Sequence, residues 1–349
     1  WKIFTKIMMP LSKPIITTVA IMAFIRSWSD LLWPTLVTRD GTYRTLPLAL
    51  KSLFSDTYTD WGQVFAFSTL MVIPTMIHPA ELRGDKVEIR YLGTGGAEGF
   101  PSIFCQCEAC RKVRTLLGKN VKTRSCTLID QVMIDLSPDI FSQCINSHVD
   151  LSEVNHLVFT HSHSDHLNTT EICFRLREMA SVIQKKDKKV MEIYGNDAVR
   201  DGIMEIIAKD PHVDLTRMRF HRIQKFEPFR IGHLKFTPLK AYHKLDEEAL
   251  IFVIEDGRST LLYANDTGVL PEETLDFIEQ QNIKFDVVSM DTCRGTLDGD
   301  THMGIRENVE LRERLRRMHA VTPDTEYYLN HYSHMCGMIP QEYERLVGQ

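Results

Sequence analysis

Apolar positions along the chain fall into two regimes. From Pro14 to Val37 they run almost unbroken for a length that crosses a bilayer, with Lys2, Lys6 and Lys13 ahead of the run and Trp28 and Trp33 within it. This pattern predicts a membrane helix with a cytoplasmic N-terminus, interrupted by Arg26 and Asp30 at a spacing that pairs them on one face. A second run, Val64 to Met76, is too short to span and is broken by Pro74 and then His78. Beyond it the pattern becomes alternating: Val87, Ile89 and Tyr91 mark a strand ending in a glycine-rich turn, so a new domain begins near Asp85. The segments 132–134, 157–160, 234–242, 260–264 and 327–330 read as strands, Asn168 to Glu171 as a capped helix start, and His302 to Ala320 as a helix.

The chain has 349 residues, 43% of them apolar, enough for one large domain and something smaller. Residues 1–80 hold seven Lys/Arg against four Asp/Glu, so within a total charge of -5 the front is net basic and the remainder net acidic. An acidic main domain argues against a general nucleic-acid binder, because phosphate backbones demand a basic face. Small anionic substrates remain compatible, since a bound cation neutralises them locally. No secretory signal opens the sequence, and three of the eight cysteines fall in the run Cys105-x-Cys107-x-x-Cys110, so metal binding in a reducing cytosol is expected over disulfides. Cys126, Cys144, Cys173 and Cys293 sit in apolar stretches as ordinary buried thiols. The glycine-rich turn is no dinucleotide fingerprint, because its third glycine position is Glu98 and no crossover helix follows.

The densest chemistry is His161-Ser162-His163-Ser164-Asp165-His166, set between a strand and a helix start. In an extended segment side chains two apart point the same way, so His161 and His163 can share one metal while Asp165 and His166 turn toward a second. This loop alone cannot complete two coordination shells. His243, Asp266 and His331 each follow a predicted strand, where α/β folds gather functional groups, and Asp135 follows another.

Two resemblances divide the chain. Residues 1–77, through WKIFTKIMMPLSKPIITTVAIMAFIRSWSDLLWPTLV and YRTLPLALKSLF, resemble the C-terminal end of a sugar-type ABC transporter permease, beginning within the cytoplasmic loop that docks on the ATPase in that family. The earlier helices are missing, so a helical, membrane-type fragment without transport of its own is expected, in contact with membrane through residues 14–77. A gene fusion or an assembly artefact is the expected origin. From about residue 85 onward, H-x-H-x-D-H, a later His, D-T-G and a near-terminal His follow the order of the metallo-β-lactamase superfamily. That resemblance implies an αββα sandwich over residues 81–349. His161, His163 and His243 would hold one divalent metal, Asp165, His166 and His331 the other, with Asp266 bridging and Asp135 orienting the loop. Within the superfamily, LGTGGAEGFP, the cysteine run and the terminal His331-x-x-His334 resemble the phosphonate-utilisation accessory phosphodiesterases of PhnP type. Cys105, Cys107 and Cys110 are one ligand short of a tetrahedral zinc site; His334 supplies the fourth in that family, and Cys336 is the competing candidate.

The same start also resembles the superfamily's pyrroloquinoline quinone biosynthesis protein, which lacks the full histidine set. Ribonuclease Z resembles the catalytic centre but has no cysteine clip and carries a basic arm for tRNA. The PhnP-type resemblance gives His302 a catalytic role with Asp165 and implies metal-assisted hydrolysis of a small cyclic phosphodiester such as 5-phosphoribosyl 1,2-cyclic phosphate. His302 would protonate or stabilise the departing oxygen; as a helix-capping surface histidine it has a plainer reading. Zinc and manganese both suit the paired site, zinc the clip. A cytoplasmic hydrolase domain and a homodimer are expected. The rival readings are a transport component, supported only by residues 1–80, and a non-catalytic or biosynthetic accessory protein of the same fold.

Overall fold

The computed structural model describes residues 61, 64–66, 68, 87–178 and 190–347. The chain divides into two compact units, Trp1–Lys86 and Val87–Gln349. In the first, the described positions are helical. The expected membrane helix over 14–37, most of the run 64–76 and nearly all of the permease-like stretch lie outside the described residues. Among the described residues no helix is long and apolar enough to cross a membrane.

The second unit is built on two six-stranded sheets. One runs in the order β1 (Ile89–Gly93), β2 (Cys126–Ile129), β3 (Val132–Ile134), β4 (His156–Val158), β5 (Met191–Gly195), β6 (Met218–Arg222). The other runs from β12 (Val321–Asn330) through β11 (Phe285–Asp291), β10 (Thr260–Ala264), β9 (Leu250–Glu255) and β8 (Leu234–Lys240) to β7 (Phe229–Ile231). Each sheet opens with antiparallel neighbours and ends with parallel ones: β3 to β6 in the first, β10 to β12 in the second.

Side-chain alternation sorts these strands into layers. On β9, Leu250, Phe252 and Ile254 point between the sheets while Ile251 and Val253 point outward; on β10, Leu261 and Tyr263 alternate likewise with Leu262 and Ala264. The inner set meets Val132, Ile134 and Val158 of the first sheet. The outer face of that sheet is covered by α2 (Ile140–Ser147), α3 (Thr169–Leu176) and α4 (Asp197–Ile207), through Ile140, Ile172, Leu176, Val199 and Ile203. Helices α5 (Glu272–Gln280) and α6 (Ile305–Arg317) cover the second sheet through Leu275, Ile278, Leu311 and Leu315. The result is an αββα sandwich. Each fully buried Leu, Ile or Phe in these layers contributes roughly 1.5–3 kcal/mol of transfer free energy.

Register places the chemistry. Parallel pairing aligns Ala264 with Met290 and Met290 with Leu329, so residues just past β10, β11 and β12 emerge on one rim. Ile134 aligns with Val158 in the other sheet, which delivers Asp135 beside the loop that follows β4. Two local expectations change. Asn168 occupies the cap position of α3 but its side chain makes no capping bond, and His302 lies in a loop three residues ahead of α6 rather than opening that helix.

Candidate metal centre

The seven side chains expected to share a centre come together on this rim. His163 Nδ1 lies 2.9 Å from His161 Nε2 and 3.1 Å from His243 Nε2. Asp266 lies between this trio and a second set: its Oδ2 is 3.5 Å from His161 Nε2 and 3.0 Å from His166 Nε2, and its Oδ1 is 3.6 Å from His331 Nε2. Asp165 Oδ2 is 3.1 Å from His166 Nε2. Asp291 and His302 join Asp266 and His331 in one group of potential ligand atoms. Spacings of about 3 Å from His163 Nδ1 to the nitrogens on either side are close to those between ligands of a tetrahedral ion with metal–nitrogen bonds of about 2.0–2.1 Å.

The outer partners fix which nitrogen of each ring is free. The Thr160 backbone N–H and hydroxyl both donate to Asp135, at 2.9 Å and 2.9–3.1 Å, so the hydroxyl oxygen is left to accept from His161 Nδ1 at 2.9 Å. The same carboxylate accepts from His166 Nδ1 at 2.7 Å. Ser125 donates its hydroxyl to the Gly95 carbonyl, so it too accepts, from His331 Nδ1 at 3.0 Å. The Thr301 carbonyl takes His243 Nδ1–H at 3.1 Å. In four rings, therefore, Nδ1 is the donor to an outer partner and Nε2 faces the centre. These partners do for the imidazoles what a metal site requires of them.

Electrostatics agrees with the donor set. Burial holds His161 and His243 below the usual imidazole range and depresses His331 to about 4, whereas Asp135 and Asp165 overcome burial and raise His166 above that range. For Asp165 and Asp266 burial acts upward, but His166 beside the first and His331 and His243 beside the second outweigh it and keep both ionised. His166 Nε2 and Asp266 Oδ1 are buried and make no hydrogen bond, although carboxylate and imidazole atoms crowd them. Buried ligand atoms left without partners and converging on one rim fit the binding of divalent cations.

Asp291 is the residue that sequence reasoning passed over. It ends β11 fully buried, its backbone carbonyl accepts from Asn308 Nδ2 at 2.8 Å, and its Oδ2 accepts from His302 Nδ1 at 2.8 Å. Burial pushes Asp291 up to about 7 against the pull of His302. Burial alone would depress His302; Asp291 and Asp266 override it and raise the imidazole to about 11. Its signal in the sequence was the same as that of Asp266: an aspartate at the end of an apolar strand.

The second cluster lies at the start of α1 (Glu108–Leu116). His334 Nδ1 is 3.4 Å from Cys105 Sγ and 3.6 Å from Cys107 Sγ, and Cys110 completes a four-residue group. Cys336 is turned away toward Tyr343, 2.9 Å from its hydroxyl, which leaves His334 as the fourth member. Cys107 caps α1 with its sulfur; burial opposes ionisation, but the Cys110 N–H and His334 bring the thiol down to about 6. Glu98 binds the far side of His334, 3.2 Å from Nε2, and accepts from Ser333 at 2.6 Å. Gly96 passes so near His331 that a Cβ there would lie 3.4 Å from Nε2.

The family model of the beta-lactamase superfamily domain matches residues 130–327. Among solved structures, a diphosphatase from the PhnP family superposes with a TM-score of 0.57 at 19% identity, covering 74% of this chain and 91% of that one, a likeness of fold. The octanoyltransferase of Porphyromonas gingivalis is 26% identical over 159 residues, 44% of this chain and 30% of that protein. The arabinooligosaccharides transport system permease protein AraQ of Bacillus subtilis is 34% identical over 97 residues, 28% of this chain and 34% of that protein. The chain spans about a third of the length of these curated relatives.

Proposed function

The chain belongs to the beta-lactamase superfamily, and from this metal-dependent hydrolase fold we propose a phosphodiesterase acting on small cyclic phosphodiesters such as 5-phosphoribosyl 1,2-cyclic phosphate. The observation that carries the reading is the Asp291–His302 pair at the edge of the histidine cluster. His302 Nδ1 is taken by Asp291, so Nε2–H is the proton this ring has to give. An imidazolium there neutralises a phosphoryl oxygen in the transition state and protonates the departing alkoxide. Asp135, Thr160, Ser125 and Thr301 hold the remaining rings in the orientation described above, so little reorganisation accompanies the reaction.

Two divalent cations, Zn or Mn, held by His161, His163 and His243 and by Asp165, His166 and His331 with Asp266 between them, would supply Lewis-acid activation of water and charge neutralisation. A further zinc on Cys105, Cys107, Cys110 and His334 would be structural. The proposed hydrolase domain is residues 81–349, with residues 1–80 a permease fragment. Its proposed partners are a small phosphodiester and a second copy of the chain, not nucleic acid. All eight cysteines are free thiols, which suits a cytoplasmic setting.

The test is a substrate panel with the full chain: a cyclic ribose phosphodiester, bis-p-nitrophenyl phosphate, a phosphomonoester, a lactam and a thioester, each against wild type and Asp165→Ala. Turnover of the diesters that Asp165→Ala abolishes is expected. Cleavage of only the lactam or the thioester defeats the phosphodiesterase assignment. Metal uptake without turnover of any of them favours an accessory protein.

A further inference from the structure

We infer that Glu247 is a positioning residue that braces the loop carrying His161 and His163 against the loop carrying His243. The inference rests on the metal-centre reading above. Ser162, the residue between the first two histidines, donates its backbone N–H to Glu247 Oε1 at 2.8 Å and its hydroxyl to the same oxygen at 3.1 Å. Glu247 itself belongs to the connection between β8 and β9, four residues after His243. That connection is closed at its base by the Ala241 N–H donating to the Ala249 carbonyl at 2.9 Å.

The opposite flank of this connection is tied as well. Tyr242 N–H donates to Thr267 Oγ1 at 2.9 Å and Gly268 N–H to the Tyr242 carbonyl at 2.8 Å, beside Asp266. His243 is therefore fixed to the Asp266 side through the backbone of its neighbour Tyr242, and besides the His163–His243 ring contact the histidine pair is tied to its loop through Leu250 N–H on the Thr160 carbonyl, 2.9 Å, and through Glu247. Without a metal the rings themselves meet across the loops through His163 Nδ1 alone, 2.9 Å from His161 Nε2 and 3.1 Å from His243 Nε2. A side chain that crosses from one loop to the other holds that approach in place.

The setting of the carboxylate shows that it is not a surface contact. Its side chain is 4% exposed, and Oε2 is buried with no hydrogen-bond partner. Lys244, the nearest cation, stands 4.0 Å from Oε1 and is committed to Asp246 at 2.7 Å. A buried carboxylate oxygen without a partner carries a desolvation cost that an ordinary loop residue would avoid. Retaining it is consistent with a carboxylate placed for what its other oxygen holds.

Partners outside the coordination shell that orient ligands change metal affinity by about 10- to 100-fold when removed. Zinc binding by the full chain, measured by competition with a chromophoric chelator and by zinc counted per chain, reads this directly. Glu247→Leu is expected to weaken zinc binding at the histidine centre by about 10- to 100-fold while the cysteine clip keeps its zinc. Glu247→Gln, whose amide oxygen accepts the same two bonds, is expected to stay close to wild type. Glu247→Asp, which keeps the charge but withdraws the oxygen by one methylene, is expected to fall with the leucine variant. Diesterase activity should drop through kcat and return with excess zinc, which a general loss of folding would not allow.

Wild-type zinc affinity in Glu247→Leu overturns the inference, as does a glutamine variant no better than the leucine one. Where the leucine variant does not fold, the contrast between Gln and Asp decides alone. A wild-type chain that takes up only the clip zinc overturns the metal-centre reading itself, a result visible before any variant is compared.

Discussion

Asp135 offers the sharpest quantitative test, because one buried carboxylate sets two metal-facing rings at once. It accepts from Thr160 N, Thr160 Oγ1 and His166 Nδ1 and is 2% exposed. Replacing it by Ala strands the two Thr160 donors in the interior at about 1–3 kcal/mol each. It also places Ala at a φ of 61°, a left-handed backbone that Asp and Asn tolerate better. A loss of about 2–6 kcal/mol follows from the two donors alone in the metal-free protein, a fall of roughly 4–24 °C in Tm for a domain of this size. Asp135→Asn separates the two effects. It keeps the backbone and one acceptor for Thr160, but presents an amide N–H to His166 Nδ1. The ring must then carry its proton on Nε2, the nitrogen facing Asp165 and Asp266. Zinc affinity is expected to fall about 10- to 100-fold, equivalent to about 1.4–2.7 kcal/mol, with a much smaller change in Tm than for Ala. Thermal unfolding of chelator-treated protein and zinc competition measure the two quantities. An Asn variant with wild-type zinc affinity refutes the claim that Asp135 dictates the tautomer.

Four further outcomes are expected. His302→Ala lowers diester kcat by about 10²- to 10⁴-fold with little change in KM. His302 is raised from 6.5 to about 11 and Asp291 to about 7, so their ion pair is complete between those values, lost upward as the imidazole gives up its proton and downward as the carboxyl takes one; Asp291→Asn removes the chief upward influence on His302, and kcat is then expected to decline as pH rises through neutrality where wild type does not. In zinc-free protein, iodoacetamide should alkylate Cys107 with a pH midpoint near 6 instead of the ordinary 9.0, and a midpoint at the ordinary value contradicts the capping geometry. Gly93→Ala drives a Cβ into the Arg124 carbonyl and should prevent stable folding, whereas Gly96→Ala meets only His331 at 3.4 Å and should cost metal affinity before stability, as parallel unfolding and zinc titrations will show.

The histidine loop was readable because its ligands lie within one short stretch, and His243, Asp266 and His331 because each follows a strand whose apolar residues announce it. β10 falls where its pattern put it, at Thr260–Ala264. Asp291 carried the same strand-end signal as Asp266 and was passed over, while Glu247 lies in a loop with no pattern to betray it. The roles of these two depend on which strands and loops the fold sets side by side. Ser125 and Thr160 were hidden for a related reason: their hydroxyls matter only once a carbonyl or carboxylate has claimed their hydrogens. The helix expected from His302 begins later because residues 292–301 form a loop that returns His302 to Asp291, with Arg294 N–H on the Met303 carbonyl at 3.0 Å.

The glycine-rich turn and the end of β12 are stitched together: Gly96 N–H donates to the Tyr332 carbonyl at 2.9 Å and Tyr332 N–H to Thr94 at 2.8 Å. Both clusters are therefore closed by the same late stretch of chain. Most of their side chains precede His331 and His334, and neither cluster is whole until that stretch has folded back on the glycine-rich turn. A chain short of that point exposes histidines and thiols without a finished cradle.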